Sequence, residues 1–351
     1  MAYFDYNASA PVSLQVEEAV IAALRNFGNP SSVHIEGRMA RKSIEEAREE
    51  VGALVGAAPE NVIFTSGATE ANNQALCWSE RSQIITSAIE HPSVLEISSD
   101  KTRISVSGDG IIDLDALTRL LERRGHYRVV SVMAANNETG VIQPIKEAAE
   151  QAHTAGALFH CDAVQAMGRI PFNMQQLGID LLTLSAHKLG GPKGVGALVL
   201  ANGLEIETFL SGGGQERKRR GGTENVPGIA GFGVAAHKAR KMYLAIDHVA
   251  NLIGALERLA VAVVPDAVIF GAEVPRIPNT TLIALPGVDA ETQIMALDLA
   301  GISVSAGAAC SSGKIGESHV LKAMGVMQGL GKCAIRVSLG FDNTLEEVER
   351  F

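Results

Sequence analysis

The stretch that decides the fold runs from Leu181 to Leu200 and reads LLTLSAHKLGGPKGVGALVL. An apolar, strand-like run stops at Ser185, and Ala186, His187 and Lys188 follow. A turn containing Gly190, Gly191, Gly194 and Gly196 leads into a second apolar run. Most lysines at strand ends are plain surface charges. Here the flanking glycines let the backbone approach a bound group closely. The spacing does not fit G-x-x-x-x-G-K-[ST], which excludes a nucleotide-triphosphatase phosphate loop. A partly desolvated lysine has a lowered pKa and forms Schiff bases readily, and pyridoxal phosphate (PLP) is the cofactor that most often needs one.

Outward from this segment the chain alternates strand and helix signals, the pattern of an α/β protein built on a central sheet. NVIFTSG, QIITSA, RVVSVMA, ALFHCDA, LLTLSA and VGALVLA read as strands. Ser13–Phe27, Arg38–Val55 (ending at Gly56), a segment starting at Thr69, Asp113–Arg123 and Ile145–Ala155 read as helices. Ile229–Leu259 reads as one long helical stretch leading out of a large domain. NTTLIAL and CAIRVSLG then signal strands of a smaller α+β domain. The division expected is a large domain over 12–245 and a small one made of 1–11 and 246–351. The closing TLEEVERF reads as the first turns of an amphipathic helix.

A PLP site makes further demands. The pyridine nitrogen needs a carboxylate partner, and Asp162 stands at the end of an apolar strand, although it serves equally well as a helix N-cap. Gln165, three residues on, is within range of the ring hydroxyl. Phosphate is bound by N–H groups at a helix N-terminus, and FTSGATEANNQAL supplies a strand, a Ser66-Gly67 turn and a helix beginning near Ala68 and Thr69. Ser185 and His187 add donors beside the lysine. His91, between a strand and Pro92, offers a flat partner for one ring face. Asn136, Asn137 and Glu138 lie at another strand end, in a composition that also suits a simple turn.

The bulk properties narrow the class. A net charge of −9 argues against a general nucleic-acid binder. The basic run Arg217-Lys218-Arg219-Arg220 therefore reads as a solvated loop or a subunit contact. No apolar run is long enough to span a membrane, and MAYFDYNASAP lacks the basic start and apolar core of a signal peptide, so a cytoplasmic location is expected. The cysteines Cys77, Cys161, Cys310 and Cys333 include no C-x-x-C pair, and no metal site is expected. Cys77, Cys161 and Cys333 read as buried space-fillers. Cys310 alone sits in a loop-like stretch of small residues, SAGAACSSGK.

The set NASAP, NPSSVHIEGR, FTSGATEANN, EHPSVLE, NNETGVIQP, CDAVQAMGRIP, SAHKLGGPKGVGAL, GGGQERKRRGGTENVPGI, SAGAACSSG and IRVSLG resembles the cysteine desulfurases, PLP enzymes of the class V aminotransferase group, and in particular their NifS/IscS-like branch. The motifs run in the same order from residue 4 to about residue 345. The resemblance implies a fold-type-I, aspartate-aminotransferase-like architecture: a mainly parallel seven-stranded sheet in the large domain, and a small domain carrying the Cys310 loop. It implies that Lys188 holds PLP, Asp162 pairs the pyridinium nitrogen, His91 stacks on the ring and transfers protons, and Gln165 contacts the ring hydroxyl. It assigns the phosphate to Ala68, Thr69, Ser185 and His187, and to Thr223 of the other subunit, so that a homodimer shares its active sites. Asn137 and Arg336 hold the substrate carboxylate, a task that suits the two-pronged guanidinium.

The activity so implied converts L-cysteine to L-alanine. Lys188 takes the Cα proton, and the Cys310 thiolate attacks the substrate sulfur and leaves as a persulfide for an acceptor such as an iron–sulfur scaffold protein. A free thiol has a pKa of about 8.5, so Cys310 needs help to ionise, from His91 or from the cofactor. A class V aminotransferase is the nearest alternative, but it has no use for a loop thiol. Selenocysteine lyase chemistry uses the same residues. A degenerate binding scaffold would be expected to lack Lys188 or Asp162.

Overall fold

The computed structural model describes residues 1–77, 80, 83–123, 128–307 and 317–351. Strand β1 (Ala2–Tyr3) opens the chain. Strands β2 (Val62–Thr65), β3 (Ile84–Ser87), β4 (Arg103–Ile104), β5 (Val129–Ser131), β6 (Leu158–Asp162), β7 (Leu181–Ser185) and β8 (Gly196–Leu200) form one seven-stranded sheet in the order β2-β8-β7-β6-β5-β3-β4. The run from β7 through β6, β5 and β3 to β4 is parallel, while β8 is antiparallel to both of its neighbours. Both faces are covered, which is why these strands read as nearly continuous apolar runs; β7, LLTLS, is buried at every position. Six of the seven strands are the ones read from the sequence. The seventh, β4, has only two residues at the sheet edge, too few to leave a period-two pattern.

A second layer is built from both chain ends. Strands β9 (Val268–Ile269), β10 (Thr280–Ala284), β12 (Ser305–Ala306) and β13 (Ala334–Ser338) form an antiparallel sheet ordered β12-β13-β10-β9, and β11 (Ile302–Ser303) pairs with β1 in parallel. Ala2 and Phe4 are buried together with Val249, Leu256, Ile335 and Val337 in a core of their own.

Two expectations need correction. The long helical stretch is two helices, Val226–Met242 and Ile246–Val263, separated by a short turn at Tyr243–Ala245. The first buries Ile229, Phe232 and Ala236 in the large-sheet core, and the second buries Val249, Leu252 and Leu256 in the other. A straight helix cannot aim one stripe at both cores, so it breaks where it changes partner. Cys77 is exposed, because it caps the helix Ala68–Leu76 just beyond its buried face. Cys161 and Cys333 are buried as expected.

One close packing is set by a missing side chain. At Gly233 a Cβ would lie 2.6 Å from the Cα of Ala47, so glycine lets the helix Val226–Met242 lie directly on Ile35–Val55. The parallel strands β5, β6 and β7 all end on one edge of the sheet. In an open α/β sheet that edge is where ligands bind.

Candidate active site

A cavity of about 570 Å³ opens at that edge. Its wall includes Ala68, Thr69, His91, Asn137, Asp162, Gln165, Ser185, His187, Lys188 and Arg336, so ten side chains picked out across the sequence meet in one place. Thr223 is exposed and does not line this cavity. Cys310 lies outside the described residues, so its position is not part of this geometry.

Lys188 follows β7 in a single tight turn, Ala186–Leu189. Its Nζ donates to the carbonyl of Ala8 at 2.9 Å and to that of Asn7. His187 beside it is pushed down to about 4 by burial and by the charges of Lys188 and Lys193, so it is neutral at physiological pH. Asp162 closes β6 with its two oxygens engaged differently. Its Oδ1 accepts from the N–H of Val164 at 3.0 Å, the capping contact, and its Oδ2 accepts from Asn72 Nδ2 at 2.9 Å, facing the cavity. The residues after it form turns rather than a helix. Gln165 Nε2 donates to the Asn7 carbonyl at 3.1 Å, and the buried Arg169 donates to Gln165 Oε1.

The helix Ala68–Leu76 points its N-terminus into the cavity from a turn at Ser66-Gly67. That turn packs against β8: a Cβ on Gly196 would lie 2.7 Å from the Gly67 carbonyl carbon. In the first turn, Glu70 accepts from the Ser66 N–H at 2.8 Å and pairs with Arg220 at 2.8 Å. Burial works to raise the Glu70 pKa, but the bonds from Arg220 and Ser66 hold it below the ordinary value. Two residues of the basic run are thus tied inward: Arg220 to Glu70, and Arg219 to the Glu60 carbonyl at 2.8 Å.

Arg336, on β13, is buried at the rim. It donates to Asp5 Oδ1 at 2.8 Å and to the Asn137 carbonyl at 3.0 Å, while its Nε is buried with no partner among the described residues. Glu138, next to Asn137, faces away from the cavity and accepts from Ser318 Oγ at 2.5 Å; burial pushes it up to about 7 against the pull of Ser318 and Arg336. Behind His91, Glu90 is fully buried, and burial pushes it up to about 8.

Several contributors escape a reading of motifs one at a time. Asn72 and Ser93 connect Asp162 to His91, and Asn7 and Ala8 bring backbone carbonyls, and Asp5 a carboxylate, from a distant segment. Asn72 lies one turn into the helix whose start marks the anion site, which is the one local signal that points to it.

A strand-end lysine, a carboxylate on the adjacent parallel strand and a helix N-terminus around one cavity define a PLP-type site on an α/β fold. The sequence matches the aminotransferase class V family over residues 2–351, and the chain belongs to that family. A cysteine desulfurase of Trichormus azollae is 41% identical over 362 residues, covering 99% of this chain and 90% of its own. The X-ray structure of a NifS-like protein from Rickettsia africae ESF-5 superposes with a TM-score of 0.92 at 37% identity, over 100% of this chain and 97% of that one. SspA in complex with cysteine superposes with a TM-score of 0.82 at 30% identity, over 97% of this chain and 99% of that one. Within the family the chain therefore falls among the NifS/IscS-like cysteine desulfurases.

Membership implies PLP, and the residues present fit it. The donor set combines an amine, a carboxylate held at the end of β6 and backbone N–H groups at a helix start, where Gly196 removes the side chain that would block the Ser66-Gly67 turn. Among the described residues no group of three or more His, Cys, Asp or Glu side chains is arranged to hold a metal ion, and no helix is long and apolar enough to cross a membrane.

Proposed function

We propose that this cysteine desulfurase takes L-cysteine to L-alanine and carries the sulfur away on Cys310. The convergence of Lys188, Asp162, His91 and a helix N-terminus on one cavity, with Arg336 at its rim, supports this reading most strongly. PLP bound there supplies a sink for the electrons of the substrate Cα–H bond. Lys188 is the residue that bonds to the cofactor and, once released, moves the proton at Cα. Asp162 keeps a proton on the pyridine nitrogen, Gln165 meets the ring hydroxyl, and His91 covers one ring face. Ala68, Thr69, Ser185 and His187 receive the phosphate. Asn137 and Arg336 receive the substrate carboxylate.

In the net step the substrate Cβ–S bond breaks and a Cys310 S–S bond forms. The sulfur leaves as a persulfide carrying one hydrogen, and the three-carbon fragment keeps the electron pair and takes up a proton at Cβ, giving L-alanine. Oxidation of the transferred sulfur balances reduction of the carbon, so no outside oxidant is needed.

The active unit is a homodimer in which Thr223 of one subunit completes the phosphate site of the other. The exposure of Thr223 away from its own cavity supports this. Residues 12–245 act as the cofactor domain, and 1–11 with 246–351 as the domain bearing Cys310. The persulfide goes to an acceptor protein such as an iron–sulfur scaffold, in the cytoplasm.

The test is a pair of variants of the PLP-loaded protein. Cys310→Ala keeps the cofactor colour and loses sulfide release from L-cysteine; alanine release at the normal rate would refute the persulfide route. Lys188→Ala loses both the cofactor band and turnover; retained turnover would remove Lys188 from its role.

A further inference from the structure

Asn72 is fully buried, and the two N–H bonds of its Nδ2 are both used. One is donated to Asp162 Oδ2 at 2.9 Å and the other to Ser93 Oγ at 2.9 Å. The amide cannot be turned over, because Oδ1 would then face the carboxylate. Its present orientation leaves Oδ1 buried without a partner among the described residues, a cost the two donated bonds offset. Ser93 Oγ, accepting from Asn72, lies 2.8 Å from His91 Nδ1. The backbone N–H of Ser93 donates to the same nitrogen at 3.1 Å.

A backbone N–H can only donate, so His91 Nδ1 must present its lone pair. A neutral imidazole whose Nδ1 accepts carries its single proton on Nε2. The imidazolium would set N–H against N–H at Ser93. Among the described residues, the charged and titratable groups that act on the ring include Asp162 on β6, Lys188 after β7 and, from the segment before β13, His319, whose Nε2 meets the carbonyl of Glu90 at 2.9 Å. Burial and Lys188 lower the His91 pKa against the pull of Asp162, in agreement with the hydrogen bonds.

We infer that Asn72 and Ser93 are positioning residues that lock His91 as the neutral tautomer with its proton on Nε2, so that His91 acts as a fixed hydrogen-bond donor and not as the base that ionises Cys310. Nδ1 is covered and Nε2 already carries a proton, so the resting ring has no vacant site for another. The Cys310 proton is lost to solvent, and His91 donates a hydrogen bond to sulfur bearing negative charge in the cavity. This chemical consequence rests on the proposed function. The tautomer does not.

The test has a spectroscopic arm and a kinetic arm. In PLP-loaded enzyme with 15N-labelled histidine, and with His91 assigned from its absence in His91→Gln, the ring stays neutral with Nδ1 unprotonated between about pH 5.5 and 8.5, a range that brackets the ordinary imidazole titration. Ser93→Pro removes both donors to Nδ1, the backbone N–H and the hydroxyl, and the ring then titrates. Titration of the unaltered enzyme near the ordinary value, or a proton on Nδ1, would overturn the assignment without reference to turnover. Asn72→Leu tests the outer link, and an unchanged His91 spectrum would remove Asn72 from the lock. In single-turnover sulfur transfer, His91→Gln places an amide donor near the Nε2 position and loses about tenfold, whereas His91→Leu loses about a hundredfold or more. Equal losses in the two variants would mean that His91 works as a base.

Discussion

Two buried guanidinium groups in this molecule sit in opposite states of completion. Arg48 meets Glu216 through two parallel bonds of 2.8 and 2.9 Å, donates to the Val62 carbonyl at 2.7 Å, and lies over the Phe64 ring with 4.9 Å to its centroid. Glu216 in turn accepts from the Phe64 N–H at 2.9 Å. Arg336 has one bond to Asp5, one to a carbonyl, and a buried Nε with no partner among the described residues. The first group is spent on the fold. It pins a loop in which Glu216, Arg217 and Lys218 all take the left-handed conformation that L-residues avoid, with φ of 44°, 57° and 67°. The second keeps donor capacity beside a cavity, which is what a site needs to bind a carboxylate. Burial and charge alone do not separate these two arginines; an unsatisfied donor beside the cavity does.

Arg48→Ala leaves the Glu216 carboxylate buried and unpaired and removes the pin on a strained loop. It should cost about 3–5 kcal/mol in denaturant unfolding of the loaded enzyme, with little change in turnover per folded molecule. Arg336→Ala should lower kcat/KM for L-cysteine by about a hundredfold, equivalent to about 2.7 kcal/mol, with the cofactor band retained. If the two variants lose stability equally and activity only in proportion, the distinction fails.

Glu90 is a buried acid left half-satisfied in the same way as Arg336. Glu90 accepts from Ser87 at 2.5 Å and from the Met133 N–H at 2.8 Å, but its second oxygen has no partner among the described residues. Burial raises it from the ordinary 4.5 to about 8. A group raised in the folded state stabilises fully below its unfolded value, and that contribution fades as pH rises towards the folded one. Stability should therefore decline from about pH 4.5 to about pH 8. Glu90→Gln should flatten that decline and gain on the order of 1–2 kcal/mol at its upper end, read from denaturant midpoints across the range.

Much of the site was legible because each part is a local event at the end of a strand: Asp162 after LFHC, Lys188 after LLTLS, and Ala68 after a Ser-Gly turn. A short strand followed by glycine or a cap leaves a mark that one window of sequence contains. Ser93, Asn7 and Asp5 left none, and Asn72 left only its place one turn into the helix Ala68–Leu76, because their roles depend on contacts between distant segments. Asn72 reads as an ordinary helical residue until Asp162, 90 positions away, is brought beside it. The helix break at Tyr243–Ala245 was hidden for the same reason. Both halves have good helical sequence, and the change of partner is a property of the two cores.

The floor of the cavity joins the two ends of the chain. Asp5 holds Arg336, and the Asn7 N–H donates to Ser338 Oγ, each pair 331 positions apart in sequence. Lys188 rests on the carbonyls of Asn7 and Ala8, far upstream of it, and the group that would grip the substrate carboxylate is Arg336, far downstream. During synthesis the pocket therefore has no finished floor until residue 338 has left the ribosome. Assembly of the complete site, and with it the full grip on substrate, therefore waits on contacts between segments 331 positions apart.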